Sequence, residues 1–172
     1  LPSDRVSSLF ISRRGELCAV TLPFAFKVAC FDGARFEPNR VPAVERLKDP
    51  GWGWSQLMLQ DRRGRRWVPT GEGLLQFSSG DVDSLATAQP VAVYGVADGL
   101  RSNNIFRLFE DGRGAIWVGT FADEGNGLAR IDPETGRVRV FGPADGLPSQ
   151  LPIVHAFAED RTGAVWIGFE QG

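Results

Sequence analysis

The chain has 172 residues, of which 42% are hydrophobic and 23% are charged, a composition typical of soluble globular domains. Its formal net charge of −2 and its pI near 5.5 provide no cationic surplus, so nucleic acid is not expected as a partner. No run approaches the roughly 20 apolar residues of a membrane span. We therefore expect membrane attachment only through other parts of a longer protein.

The first predicted unit starts inside a loop motif, LPSD at residues 1–4, and without an initiator Met. We therefore expect the sequence to be an excised or processed piece of a longer chain. A polar turn and a short apolar strand follow in the segment SRRGELCAVT, residues 12–21, and the unit extends to Phe36. Residues 37–54 contain three prolines, and we predict an irregular segment there rather than a fourth strand.

The second and third units each contain four short apolar segments separated by turn residues. In the second unit the predicted strands lie near residues 55–60, 65–70, 74–77 and 91–94, with a polar insertion at 78–89. In the third unit they are residues 105–110, 115–120, 127–132 and 137–141. The fourth unit has two strands, near residues 153–159 and 164–169. Four antiparallel strands joined by short turns are typical of one propeller blade.

One turn-and-strand segment recurs through these units and sets their period. The best copy is DGRGAIWVGT at residues 111–120, and related copies lie at 12–21, 61–70 and 160–169. The turn glycines of the four copies are 49, 50 and 49 residues apart, at Gly15, Gly64, Gly114 and Gly163. Regular repetition at such a spacing indicates a propeller or a solenoid.

We therefore predict an all-β fold, a β-propeller segment of about three and a half four-stranded blades. The predicted boundaries are residues 1–48 for blade 1, 49–95 for blade 2, 96–142 for blade 3 and 143–172 for half blade 4. Such a segment cannot close a ring by itself, and it leaves blade edges without a partner. The ring is completed either by sequence missing from this chain, which we favour, or by a second chain in a homodimer formed through propeller edges.

The repeated residues resemble a known family. The segments DGLRSNNIFRLFEDGRGAIWVGT, from residue 98, and IVHAFAEDRTGAVWIGF, from residue 153, closely resemble the two-component regulator propeller repeat. Blades 1 and 2 depart from the family pattern, with Cys18 in the place of Trp and Pro69 in the place of Gly.

The resemblance implies a sensory role rather than catalysis. Propellers of this family typically form the extracytoplasmic or periplasmic input region of bacterial membrane-anchored regulators, and some detect an oligosaccharide. By this resemblance we predict a non-enzymatic sensor of a small molecule or an oligosaccharide, with no cofactor and no metal. The alternatives are a protein-interaction scaffold or dimerisation module and, with less support because the chain has a single histidine, a propeller lyase or hydrolase.

The predicted ligand contacts lie in the loops that precede first strands, because these loops open at one end of a propeller channel. Arg, Asn and Gln side chains there can hydrogen-bond polyhydroxy or acidic ligands. Together with the only histidine, which lies in a first strand, the predicted site residues are Trp54, Arg101, Asn103, Asn104, Gln150 and His155.

We predict structural roles, rather than ligand binding, for the recurring tryptophans and the two cysteines. Trp67, Trp117 and Trp166 occupy one position of the repeat, so we predict packing between adjacent blades rather than stacking on sugars. Cys18 takes the same position in the first unit, and Cys30 falls on the neighbouring predicted strand. This pair forms either two buried free thiols, which we favour, or a disulfide, which an extracytoplasmic location permits.

The charged residues of the turns are also interpreted structurally. The aspartates of the repeated loops and turns are predicted to cap turns rather than to bind calcium, and they are Asp98, Asp111, Asp145 and Asp160. The basic run at residues 62–66 is either a patch for an anionic ligand or partner or a solvated hairpin tip. We favour the tip, because a turn glycine splits the run.

Overall fold

The fold is described from a computed structural model, over residues 6–12, 14–21, 27–40, 58–78, 87–122 and 125–170. In chain order the strands are β1 (Val6–Ile11), β2 (Leu17–Thr21), β3 (Lys27–Phe31), β4 (Phe36–Arg40), β5 (Leu59–Gln60), β6 (Arg66–Thr70), β7 (Gly73–Phe77), β8 (Ala92–Tyr94), β9 (Ile105–Glu110), β10 (Ile116–Thr120), β11 (Gly127–Ile131), β12 (Val138–Phe141), β13 (Val154–Glu159) and β14 (Val165–Phe169). Two 3-10 helices, Val96–Asp98 and Pro143–Asp145, precede β9 and β13. None of the helices in the described ranges has the length and apolar character to cross a membrane.

The strands form three four-stranded sheets and one two-stranded sheet, all antiparallel. Within each sheet the strands follow one another in chain order: β1–β4, β5–β8, β9–β12 and β13–β14. This simple meander is the topology of propeller blades, and the ring is not closed. The predicted all-β propeller segment of three and a half blades is therefore confirmed, and we keep the names blade 1, blade 2, blade 3 and half blade 4 for the four sheets.

Blade 1 has a fourth strand, although we predicted an irregular segment from residue 37. β4 pairs with β3 in a regular register that places Pro38 opposite Ala29. A proline has no N–H to donate, which excludes it from central strands but not from an edge strand with that side unpaired. β4 is the last strand of its sheet, so the prediction was wrong for residues 37–40. Residues 41–54 lie outside the described ranges.

Each turn between the first and second strands of blades 2 and 3 and half blade 4 is built around one aspartate. In blade 3 the Asp111 Oδ1 atom accepts hydrogen bonds from the backbone N–H groups of Arg113 and Ala115, both at 3.0 Å. Its Oδ2 atom accepts a bond of 2.9 Å from the Trp117 indole. Asp61 and Asp160 make the same three bonds in their own turns. The repeated Asp and Trp are therefore parts of one local turn structure.

The tryptophan packing that we predicted is present in blades 2 and 3. Trp67 is fully buried and belongs to a cluster with Ile105 and Leu108 of the next blade. Trp117 stacks on Phe141 with ring centres 5.1 Å apart, and it also contacts Phe157 of half blade 4 at 6.5 Å. Trp166 is 66% exposed, so the position buries its ring only where another blade follows.

A glutamate at the end of the first strand joins blade 3 and half blade 4 to the turn of the preceding blade. The Glu110 carboxylate accepts a bond of 2.9 Å from the backbone N–H of Arg62, in the turn of blade 2. Glu159 accepts one in the same way from the backbone N–H of Gly112, in the turn of blade 3. These contacts explain why a glutamate precedes the turn aspartate in blade 3 and in half blade 4.

Cys18 and Cys30 form a disulfide, so the preference for two free thiols was wrong. The two residues lie directly opposite each other on β2 and β3, as Trp117 and Arg130 do on β10 and β11. Both side chains are buried in blade 1. The disulfide thus occupies the place that the tryptophan takes in the other blades.

Candidate functional site

A cavity lies at the end of the blades where the first strands begin. Because the strands alternate in direction, the start of β11 and the end of β12 meet the loops before β9 and β13 at this end. The cavity has a volume of about 320 Å³. Its walls include Arg101, Asn126, Phe141, Asp145, Ser149 and Leu151. We call it the Arg101 cavity.

The Arg101 side chain lies close to two glycines, Gly125 and Gly127. A Cβ atom added at Gly127 would lie 2.5 Å from the Cβ of Arg101 and 2.6 Å from the Oγ1 of Thr120. One added at Gly125 would lie 3.4 Å from the Nη2 of Arg101. The side chain is exposed, and its guanidinium makes no hydrogen bond or ion pair with the described part of the chain. A cationic donor group therefore faces the cavity.

Replacing Gly127 with Ala is expected to destabilise the chain by about 1–3 kcal/mol, because the added methyl group overlaps Arg101 and Thr120. Gly142, in the same cavity, provides the control. It has an extended backbone with φ of −156°, and an added Cβ would meet no atom within 4 Å. Urea denaturation should show a lower midpoint for Gly127→Ala and little change for Gly142→Ala. Equal midpoints for both variants would contradict the packing described here.

Asp145 supplies a carboxylate to the same cavity. The backbone N–H of Gly142, followed by the Arg139 guanidinium at 2.8 Å, lowers the pKa of Asp145. Asp98 accepts a bond of 2.8 Å from the N–H of Gly95 in the equivalent loop. The predicted capping role of these two aspartates is confirmed. Asp145 and Arg101 therefore place a carboxylate and a guanidinium in the walls of one cavity.

Asn126 is a cavity residue that the sequence interpretation missed. Its Nδ2 atom donates a bond of 3.0 Å to the carbonyl of Leu151, in the loop that precedes half blade 4. Its Oδ1 atom accepts a bond of 3.3 Å from the N–H of Ala122. The predicted site residues come from first strands and the loops before them, but loops before third strands open at the same end of the blade because alternate strands run in the same direction. Asn126 precedes β11, the third strand of blade 3, so strand direction could have identified it.

The other predicted site residues have different positions. Asn103 is a structural residue, since its Oδ1 atom accepts a bond of 2.8 Å from the N–H of Val96. Asn104 accepts a bond from the N–H of Phe121 through its backbone carbonyl. Gln150 is exposed beside the cavity residue Ser149. Of the predicted site residues, Arg101 therefore lines the cavity, and Gln150 is adjacent to the cavity residue Ser149. Asn103 has a structural role.

His155 lies on β13, beside the first strand of blade 3, and not in the Arg101 cavity. Its ring packs edge-to-face on Phe106 with centres 5.7 Å apart, and its carbonyl accepts a bond of 2.9 Å from the Nε of Arg107. Trp54 lies outside the described residues. Within the described ranges, no group of three His, Cys, Asp or Glu side chains is arranged to hold a metal ion.

The comparisons with known proteins agree with this architecture. Residues 99–122 match the family described as Two component regulator propeller. Two extracellular domains of hybrid two component systems from B. thetaiotaomicron have similar structures, with TM-scores of 0.65 and 0.67 and identities of 18% and 19%. A Bacteroides caccae protein of unknown function has a TM-score of 0.57 at 12% identity. A search of curated proteins finds no match.

The chain spans only part of each similar structure. The two B. thetaiotaomicron matches cover 98% of this chain but only 22% and 21% of their own chains. The B. caccae match covers 94% of this chain and 55% of its own. At these identities the similarity concerns the fold. Residues 99–122 are therefore similar to the repeat of the Two component regulator propeller family, and the similar structures show the fold over 98% of the chain.

Proposed function

We propose that this chain forms part of the extracytoplasmic sensor region of a bacterial two-component signalling protein. We further propose that the Arg101 cavity binds a small polyhydroxy ligand such as an oligosaccharide. The observation that carries this proposal is the exposed Arg101 guanidinium in a cavity that also contains the Asp145 carboxylate. The hydroxyl groups of a sugar can accept hydrogen bonds from the Arg101 guanidinium and donate hydrogen bonds to the Asp145 carboxylate.

The location is supported by two independent features. The similar B. thetaiotaomicron structures are named as extracellular domains of hybrid two component systems. The Cys18–Cys30 disulfide requires an oxidising environment to form and persist, which the cytoplasm rarely provides. An extracytoplasmic sensor agrees with both features. The proposal includes no catalytic step.

The binding proposal is tested by calorimetric titration of the whole chain with neutral disaccharides (maltose, cellobiose and sucrose) and with digalacturonate. At least one sugar is expected to bind, and Arg101→Ala is expected to weaken that affinity by roughly tenfold through loss of a charge-assisted hydrogen bond. Arg161→Ala is the matched control, because Arg161 is exposed in the turn of half blade 4, away from the cavity. Failure of every sugar to bind, or equal affinities for Arg101→Ala and the native chain, would reject this site.

A second candidate function is association with another protein or with a second copy of the chain. The observation in its favour is apolar exposure at the two ends of the segment. Leu9 and Ile11 in blade 1 are each 61% exposed, and Trp166 in half blade 4 is 66% exposed. A dimer mass in solution that is lost in Trp166→Arg would favour this function over a monomeric sensor.

A further inference from the structure

A second, larger cavity lies at the opposite end of the blades from the Arg101 cavity. The turns that join β5 to β6, β9 to β10 and β11 to β12 all project at this end, because alternate strand ends share one side of a blade. The cavity between these turns has a volume of about 650 Å³ and is shared by blades 2 and 3. Its walls contain seven arginines and only three acidic residues, Glu110, Asp132 and Glu134. We call it the arginine cleft.

Two of these arginines are fixed by protein partners and form the walls. Arg62 donates to Glu110 at 2.8 Å and to the carbonyls of Asp111 and Gly112. Arg65 donates to Asp61 at 2.6 Å and to Glu134 at 2.8 Å. Burial opposes the charge of Arg65, but the hydrogen bonds to its two acidic partners outweigh it and raise its pKa. Arg62 and Arg65 are therefore held in position by acidic partners.

Arg113 and Arg137 differ from these wall residues. Both line the cleft and both are exposed. Neither guanidinium makes an ion pair within the described ranges of the chain. Each therefore offers a planar group of donors that no other described residue uses, in a geometry that suits carboxylate, sulfate or phosphate.

The repeat shows that the arginines of the blade 2 turn are not needed for the turn itself. Blade 3 makes the same turn, with the same aspartate hydrogen bonds, using Gly112 and Ala115 where blade 2 has Arg62 and Arg65. The contact from the following glutamate also forms at Gly112 without an arginine side chain. Blade architecture alone therefore does not explain why Arg62 and Arg65 lie in this cleft. The hairpin-tip interpretation of residues 62–66 misses this cavity.

We infer that the arginine cleft binds a small ligand with at least two anionic groups, with Arg113 and Arg137 as its principal contacts. A cavity of 650 Å³ is within the size range of small-molecule sites. Two separate guanidinium groups favour a ligand that carries two anionic groups over a single ion. A ligand held by Arg113 and Arg137 would bridge the β9–β10 and β11–β12 turns of blade 3. This site is independent of the sugar site proposed at Arg101.

The test is isothermal titration of the whole chain with citrate and with inorganic pyrophosphate at low ionic strength. At least one is expected to bind, and added NaCl should weaken binding because exposed charges are screened. The double variant Arg113→Ala/Arg137→Ala is expected to lose roughly tenfold or more in affinity. Citrate and pyrophosphate distinguish a carboxylate ligand from a phosphate ligand.

Two controls separate this site from general attraction by positive charge. Arg161→Ala removes an exposed turn arginine outside the cleft, and Arg101→Ala removes the cation of the sugar site. Both variants should bind the anions as the native chain does. The inference is overturned if neither anion binds, or if either control loses as much affinity as the double variant. Circular dichroism of each variant verifies that the blades remain folded.

Discussion

Replacing Asp111 with Ala is expected to lower the free energy of unfolding by about 3–5 kcal/mol. Asp111 is only 4% exposed, and its carboxylate accepts bonds from two backbone N–H groups and from the Trp117 indole. It also pairs with Arg130 at 3.2 Å. Removing it leaves the buried N–H of Ala115 without its acceptor and a half-buried guanidinium without its counter-charge. Urea denaturation followed by tryptophan fluorescence measures the loss.

The repeat provides a matched control for this prediction. Asp160 makes the same bonds to its own turn and to Trp166, but it is exposed and Trp166 is 66% exposed. Water can replace those bonds, so Asp160→Ala should cost much less than Asp111→Ala. A third variant, Asp61→Ala, should resemble Asp111→Ala because Asp61 is buried and its partner Trp67 is fully buried. Equal losses at Asp111 and Asp160 would show that burial does not govern the effect.

The stabilisation by Asp111 should also depend on pH. Burial opposes its ionised form, but the bonds from Trp117, Ala115 and Arg113 and the charge of Arg130 outweigh burial and lower its pKa. A carboxylate with a lowered pKa stabilises the fold above its unfolded-state pKa of about 4 and loses this effect as the pH falls through its folded-state pKa. The difference in stability between native chain and Asp111→Asn should therefore be largest near neutral pH and shrink below about pH 4. A difference that stays constant down to pH 2 would contradict this account.

The fold could be predicted from the sequence because each turn is a local structure. The Asp and Trp of a turn are six residues apart and bond to each other, as Asp111 and Trp117 do, so the copies in blades 2 and 3 and half blade 4 each carry the complete pattern. The period then follows from repetition. β4 was missed because the rule that excludes proline from strands holds for central strands, and Pro38 is in an edge strand.

The candidate sites could be predicted only in part, because they depend on how adjacent blades meet. Asn126 and Leu151 are 25 residues apart, and Arg63 and Glu134, in the arginine cleft, are 71 apart. No pattern within one repeat encodes such pairs. Arg101 was found because its loop type recurs, whereas Asn126 and Arg137 lie in positions that differ from blade to blade. Cys18 and Cys30 show the same limit, since the bridge depends on the register of β2 against β3.

The native chain should resist alkylation of Cys18 and Cys30 until it is reduced. The disulfide closes a loop between residues that are 12 apart in sequence, and both side chains are buried. Mass spectrometry after treatment with iodoacetamide should therefore show no added mass without reductant and two adducts after unfolding and reduction. Two adducts on the native, unreduced chain would show that the thiols are free.

Removing the bridge in Cys18→Ala/Cys30→Ala is expected to destabilise the fold by about 3 kcal/mol, since a cross-link over a loop of this size restricts the unfolded chain. Part of this loss in the free energy of unfolding will come from the packing contacts of the two buried sulfur atoms that the variant lacks. Comparing the variant with the native chain, each with and without dithiothreitol, separates the two contributions. The reductant should lower the urea midpoint of the native chain towards that of the variant and leave the variant unchanged. If the reductant changes neither midpoint, the bridge does not stabilise blade 1.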